Sequence, residues 1–187
     1  PRVSGLTTRV EGPVEVLLPG ATEWKPLAAR DPLPVGARVR AGAEAEADLL
    51  LAEQSAVRVK AGTEFLIVEN RIVSDSSEIE LKLDAGRILH RFDRRSAGVQ
   101  YRISTPSCVA GIRGTRFEIA ARTAATDVKV LSGRVEVENA AGRVDLAEKE
   151  GTSVAPGAAP AAPSQLSQAD VDQLLECSLI RFTVALE

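Results

Sequence analysis

Between residues 13 and 147 the chain repeatedly alternates apolar and polar side chains with a period of two. The runs are "PVEVLL" (13–18), "EADLLL" (46–51), "AVRVK" (56–60), "EIELKL" (78–83), "TRFEIA" (115–120), "TDVKVL" (126–131), "GRVEVE" (133–138) and "GRVDLA" (142–147). Alternation of this kind places one face of an extended strand inward and the other in water. Turn-forming residues separate the runs, in "LPGATEW", "DPLPVG", "VEN", "SDSS" and "ENAAG". Short strands punctuated so regularly predict an all-β domain, either β-solenoid-like or a twisted β-sandwich of short strands. Gly42, Gly62 and Gly86 are spaced 20 and 24 residues apart, and Gly114, Gly133 and Gly151 are 19 and 18 apart. Those periods suit one coil of a solenoid, although hairpins also set glycines at strand starts.

The core of such a domain must be aliphatic, because aromatic residues make up only 3% of a chain that is 44% hydrophobic. A length of 187 residues suits one domain with a small appendage. The β domain is expected over 1–155. An Ala/Pro-rich linker, "APGAAPAAPSQ", follows over 156–166 and is expected to be extended and mobile. Residues 167–187 form a short C-terminal helix or docking tail, with Ser167 as N-cap and Asp170 completing a capping box. Val171, Leu174, Leu175 and Ile180 give that helix an apolar stripe, which suits docking onto the β body or self-association.

Charge excludes some partners. A net charge of −3 offers no general attraction to nucleic acid or to an anionic membrane. No apolar run is long enough to span a bilayer. Arginines nevertheless concentrate locally: Arg87, Arg91, Arg94, Arg95, Arg102, Arg113 and Arg116 fall within thirty residues whose single acid is Asp93. Arg87, Arg91, Arg94, Arg95, Arg102 and Arg116 form a candidate interaction patch for an acidic partner; solvated strand faces are the alternative.

Signals for chemistry are sparse. His90 is the sole histidine and is expected at the surface or half-buried. No nucleophile elbow or paired-histidine metal motif occurs, so no catalytic residue, metal or cofactor is assigned. Cys108 and Cys177 are the two cysteines; they could pair in an oxidising compartment or remain buried thiols. Trp24 is a candidate sugar-stacking surface or an edge cover.

The stretch "PSCVAGIRGTRFEIA" (106–120) stands apart. Gly111 and Gly114 can adopt a positive φ, Thr115 can bond back to the turn, Arg113 can satisfy carbonyls or a carboxylate at a strand corner, and Phe117 can anchor the core. A phosphate or carboxylate cradle is the other reading, but the spacing is not that of a nucleotide loop.

The order of these elements resembles the FecR-type extracytoplasmic domain. Gly12-Pro-Val-Glu-Val matches the family's first strand, and Pro32 through Gly42 its next segment. Ala47 to Val59, Gly62-Thr63-Glu64-Phe65 and Leu83 to Ile88 follow in family order. The family hallmark is carried by Thr105, Pro106, Gly111, Ile112, Arg113, Gly114, Thr115 and Phe117, and Val130 to Val137 closes the match. The resemblance implies a β-rich module outside the cytoplasm, periplasmic, secreted or cell-surface. In founding members it relays a signal from an outer-membrane transporter to a sigma factor. It further implies a non-enzymatic function of binding a protein partner in signalling or envelope assembly. A glycan-binding protein and a self-associating scaffold built on the C-terminal helix are the alternatives. The chain contains no Met and begins at Pro1, so its targeting segment is expected to lie outside this sequence.

Overall fold

A computed structural model describes residues 3–52, 55–73, 76–92 and 99–182. The strands are β1 (Val3–Glu11), β2 (Val14–Leu17), β3 (Lys25–Pro26), β4 (Pro32–Pro34), β5 (Arg38–Ala41), β6 (Glu46–Ala52), β7 (Ser55–Val59) and β8 (Glu64–Val73). They continue with β9 (Ser76–Phe92), β10 (Val99–Ser104), β11 (Val109–Ala121), β12 (Thr126–Asn139), β13 (Gly142–Leu146), β14 (Glu150–Val154) and β15 (Ser164–Gln165). Helix α1 (Gln168–Leu174) runs into a tight turn over Leu175–Leu179.

The all-β class and the short C-terminal helix are as expected. A solenoid coil would stack its segments in parallel. Here every described pairing is antiparallel except β9 with β10. The strands form one open sheet that folds over on itself into two facing layers. In the first layer β4, β1, β6 and β7 precede the C-terminal half of β9 and of β11, the N-terminal half of β12, and β14. In the second, β3, β2, β5 and β8 precede the N-terminal half of β9, then β10, the N-terminal half of β11, the C-terminal half of β12, and β13. Three long strands, β9, β11 and β12, therefore belong to both layers.

The parity of the alternation records each crossing. Along β9 the positions buried toward the space between the layers are Ile79, Leu81 and Leu83, then Ile88, His90 and Phe92, whereas the buried Leu89 lies on the other side, under the tail. Along β11 they are Ala110 and Ile112, then Phe117 and Ile119; along β12, Val128 and Val130, then Val135 and Val137. Odd gives way to even, or the reverse, at the bend where each strand passes from one layer to the other, while the same side of the sheet stays on the core. An inserted residue makes that switch, as at the register break between Arg113 and Arg116. Apart from His90 and Phe92, both sets pack into one apolar cluster in which Phe65 and Phe117 are fully buried.

Glycines mark the corners. Gly86 and Gly133 each have φ +93. A Cβ on Gly86 would lie 2.3 Å from Thr63 Cα, and one on Gly133 would lie 2.6 Å from Gly114 O. Gly62-Thr63-Glu64-Phe65 against Gly86 thus resembles Gly114-Thr115-Arg116-Phe117 against Gly133. The weak sequence repeat corresponds to two corner modules rather than to coils. Thr63 Oγ1 closes the first, accepting from Arg87 N at 2.9 Å and donating to Arg87 O at 3.0 Å.

The tail covers the outer side of the first layer. Ser167 and Asp170 form the expected capping box. Leu174, Cys177 and Ile180 bury against Ala56, Leu89 and Leu131, which point outward from β7, β9 and β12. Leu175, assigned to the apolar stripe, is 52% exposed. The stripe therefore packs in cis on the chain's own β body. The Ala/Pro stretch is extended and follows the β body, with Ala161 N donating to Ser153 O, Leu166 N to Lys149 O, and Pro160 buried.

Candidate functional site

The family-like motif spans two structural jobs. Its first half is the turn between β10 and β11. Thr105 N donates to Cys108 O at 2.8 Å, and Thr105 Oγ1 accepts from Cys108 N at 3.1 Å and shares a hydrogen bond with Thr126 Oγ1 at 2.9 Å. Pro106 is exposed at the tip. The bond back to the turn expected of Thr115 is thus made by Thr105. Thr115 is itself buried, and its Oγ1 has no partner among the described residues.

Its second half runs along β11 and through the corner. Gly114 has φ +59, as a corner requires, whereas Gly111 does not adopt a positive φ and lies within the strand. Phe117 is the expected core anchor. Arg113 is exposed and makes no ion pair or hydrogen bond among the described residues, so the corner-satisfying role expected of it is not what it does.

The outer side of the second layer forms an open cleft of about 1360 Å³. β10, β11 and β12 supply its floor. Cross-strand registers set its charges in rows. One row reads Glu80, Arg102, Gly111, Glu136 and Asp145 across β9 to β13. In the next, Arg113 faces Arg134 directly. Glu78, Glu138 and Glu148 extend an acidic rim. Arg102, Arg113 and Arg134 are exposed and carry no ion pair among the described residues.

The described members of the predicted arginine patch do not assemble on one surface. Arg87, Arg91 and Arg116 point outward from the first layer, beneath or beside the tail. Arg91 Nη1 donates to Ser178 O at 3.1 Å and to Ile180 O at 2.8 Å, and its guanidinium lies 4.7 Å from the Phe182 ring centre. Arg116 Nη1 donates to Ser178 Oγ at 3.2 Å. Arg87 lies 3.5 Å from the buried Glu118. Of the described patch members Arg102 lines the cleft, and Arg94 and Arg95 lie outside the described residues. Linear proximity misled here because alternate residues of β9 and β11 face opposite ways. Arg134, Glu80 and Glu136 were missed because only strand pairing brings them together.

A second charged network secures the tail. Arg58 forms a fork on Asp48 at 2.7 and 2.8 Å and reaches Glu176 at 3.1 Å; Lys60 meets Glu176 at 2.8 Å. Burial alone would raise the Glu176 carboxyl, but hydrogen bonds from Lys60 and Arg58 outweigh it and hold it below the usual carboxylate range. Lys129 meets Asp170 at 2.7 Å.

His90 is fully buried, not half-exposed as expected. It stacks on Tyr101 with ring centres 4.5 Å apart, and its Nε2 lies 3.0 Å from Ser55 Oγ. Burial lowers its pKa to about 3, so the ring is neutral. Cys108 lies beside Thr105, while Cys177 Sγ donates to Phe117 O at 3.7 Å. Both cysteines are free. The pairing weighed from the sequence is not made, because the thiols sit in separate clusters, one between the layers and one beneath the tail. Burial pushes the Cys177 thiol up to about 12. Trp24 is half-buried, with the Arg40 guanidinium 4.1 Å from its ring centre. Among the described residues no group of three or more His, Cys, Asp or Glu is placed to hold a metal ion, and no helix is long and apolar enough to cross a membrane.

Comparison with known proteins places this geometry. A family model described as "FecR protein" matches residues 37–136, which include the corners, the motif and most of the cleft floor. Two crystal structures of a "putative anti-sigma factor" from Parabacteroides distasonis ATCC 8503 share the fold, each with a TM-score of 0.60 at 18% identity. The match covers 74% of this chain and 64% or 63% of those chains, so this chain spans less than two thirds of the length of the structures it resembles. No curated protein matches it.

Proposed function

This chain belongs to the FecR family, and from that premise we propose that it is a non-enzymatic recognition module of the bacterial envelope, binding a protein partner through the open cleft of its second layer. The observation that carries the reading is the contrast between the two outer faces. The first layer's outer face is covered by the chain's own tail, whose carboxylate and carbonyls engage Arg58, Lys60 and Arg91. The second layer's outer face forms the open cleft, which is lined by Gly111, Arg113 and Gly114 of the family motif and by Arg102 and Arg134, arginines with no ion pair among the described residues. Exposed arginines without counter-ions suit recognition, since they offer forked donors to an incoming carboxylate or phosphate.

Family membership supports an extracytoplasmic location and a place in signalling or envelope assembly. The fold of the Parabacteroides protein fits that reading.

Photo-crosslinking in cells tests it. A photoreactive residue at positions 100 and 138 lies on the cleft; at 43 and 123 it lies on exposed loops away from it. Protein adducts are expected from 100 and 138 and not from the loops. Adducts from all four alike, or from none, contradict the reading.

A further inference from the structure

Gly111 lacks the reasons that account for the other described glycines. Each of those either adopts a positive φ or would press an added Cβ within 3.4 Å of a neighbour. At Gly111 the φ is unexceptional, and nothing lies within 4 Å of an added Cβ. A glycine inside a strand weakens it, and without an internal cause it marks a place that something from outside approaches closely. Arg102 is its partner on β10, Arg113 lies two residues along β11, and Arg134 faces Arg113 from β12. Like charges directly opposed across a sheet repel. Two independent features therefore converge: an open position at Gly111 with no internal explanation, and a ring of three arginines with no counter-ion among the described residues.

The geometry points to the Gly111 hollow as the seat of a single carboxylate side chain, presented by an extended segment of a partner protein and flanked there by cationic residues. The flanks follow from the rim. In the row through Gly111, Glu80 lies two strands away on one side, and Glu136 and Asp145 lie one and two strands away on the other. Strands are about 4.8 Å apart and alternate residues of an extended peptide about 6.6 Å apart, so lysines on either side of a central glutamate reach those carboxylates. A purely acidic segment would be repelled by the rim, and a purely basic one by the arginines. This inference rests on the cleft being the docking face.

Labelled peptides of sequence Lys-Thr-Glu-Thr-Lys, its Gln-centred analogue, and all-Lys and all-Glu analogues are titrated into the whole chain by fluorescence anisotropy. The Lys-Glu-Lys peptide is expected to bind about tenfold or more tightly than the Gln analogue and than either single-charge peptide. Arg134→Gln should remove that advantage. Gly111→Val should abolish binding while leaving the denaturation midpoint equal or higher, since valine suits a strand and the space is open. Equal binding of the Glu and Gln peptides, tighter binding of all-Lys or all-Glu, or no binding at all overturns the assignment. If Gly111→Val and Arg134→Gln leave the cellular adducts from positions 100 and 138 intact, the cleft remains the docking face and the carboxylate seat falls. If those adducts never form, the docking reading itself fails.

Discussion

Replacing Gly133 by alanine strains the corner that carries β12 from one layer to the other. Two costs add. At φ +93 an L-residue sits outside its favoured regions, at about 1–2 kcal/mol. The new Cβ would also lie 2.5 Å from Thr115 Cγ2 and 2.6 Å from Gly114 O. The Thr115 methyl can rotate away, but the carbonyl belongs to the facing corner and can move only with its strand. Overpacking of that kind costs about 1–3 kcal/mol. Together they destabilise by about 2–5 kcal/mol, a large share of the 5–15 kcal/mol typical of a domain. Gly62→Ala is the control: its φ is +70, but nothing lies within 4 Å of an added Cβ, so only the conformational cost of about 1–2 kcal/mol remains. Urea denaturation of the two variants beside the parent measures both. Equal losses for Gly133→Ala and Gly62→Ala would refute the close crossing, and with it the two-layer path of β11 and β12.

Other outcomes follow from the same contacts. Because His90 is the only histidine and its folded pKa is lowered from 6.5 to about 3, the unfolded chain gains a proton below pH 6.5 that the folded chain refuses. Stability is full above that pH and falls by about 1.4 kcal/mol per unit as pH drops from 6.5 towards 3; His90→Gln should flatten the slope between pH 6.5 and 5 in denaturation curves, and an unchanged slope would refute the burial. Thr105→Val should destabilise by about 1–3 kcal/mol by stranding the Cys108 amide and the Thr126 hydroxyl, whereas Thr115→Val, whose hydroxyl has no partner among the described residues, should be neutral or stabilising in the same assay. Glu176→Gln should weaken the tail's hold on Arg58 and Lys60 by roughly 1 kcal/mol and hasten protease cleavage within 167–182; cleavage at the parental rate would count against the tail contacts.

Much of the architecture is legible in the sequence, because period-two alternation and a capping box are local signals. Ser167 and Asp170 are three residues apart, and the eight alternating runs all lie on strands. What escaped was non-local. The run "EIELKL" is only the first part of one long strand, β9, whose inward parity changes around Gly86. That change was visible in the letters, and it also places His90 on the buried side with Ile88. Outward-facing Ala56, Leu89 and Leu131 likewise announced that something must cover them. The cleft was less accessible. Arg102, Arg113 and Arg134 come together only through the registers of β10, β11 and β12, which sequence spacing does not reveal, and the clustering of arginines along the chain drew attention to Arg87, Arg91 and Arg116 instead.

The account's central claim is that the chain engages the arginines of its first layer internally and keeps those of the cleft for a partner. Dicarbonyl labelling of the free chain, read residue by residue by mass spectrometry, tests that division. Arg102, Arg113 and Arg134 should modify rapidly, while Arg58 and Arg91, held by Asp48, Glu176 and the tail carbonyls, should resist until the chain unfolds. Protection of Arg113 and Arg134 in the free chain, or ready labelling of Arg58 and Arg91, would contradict it.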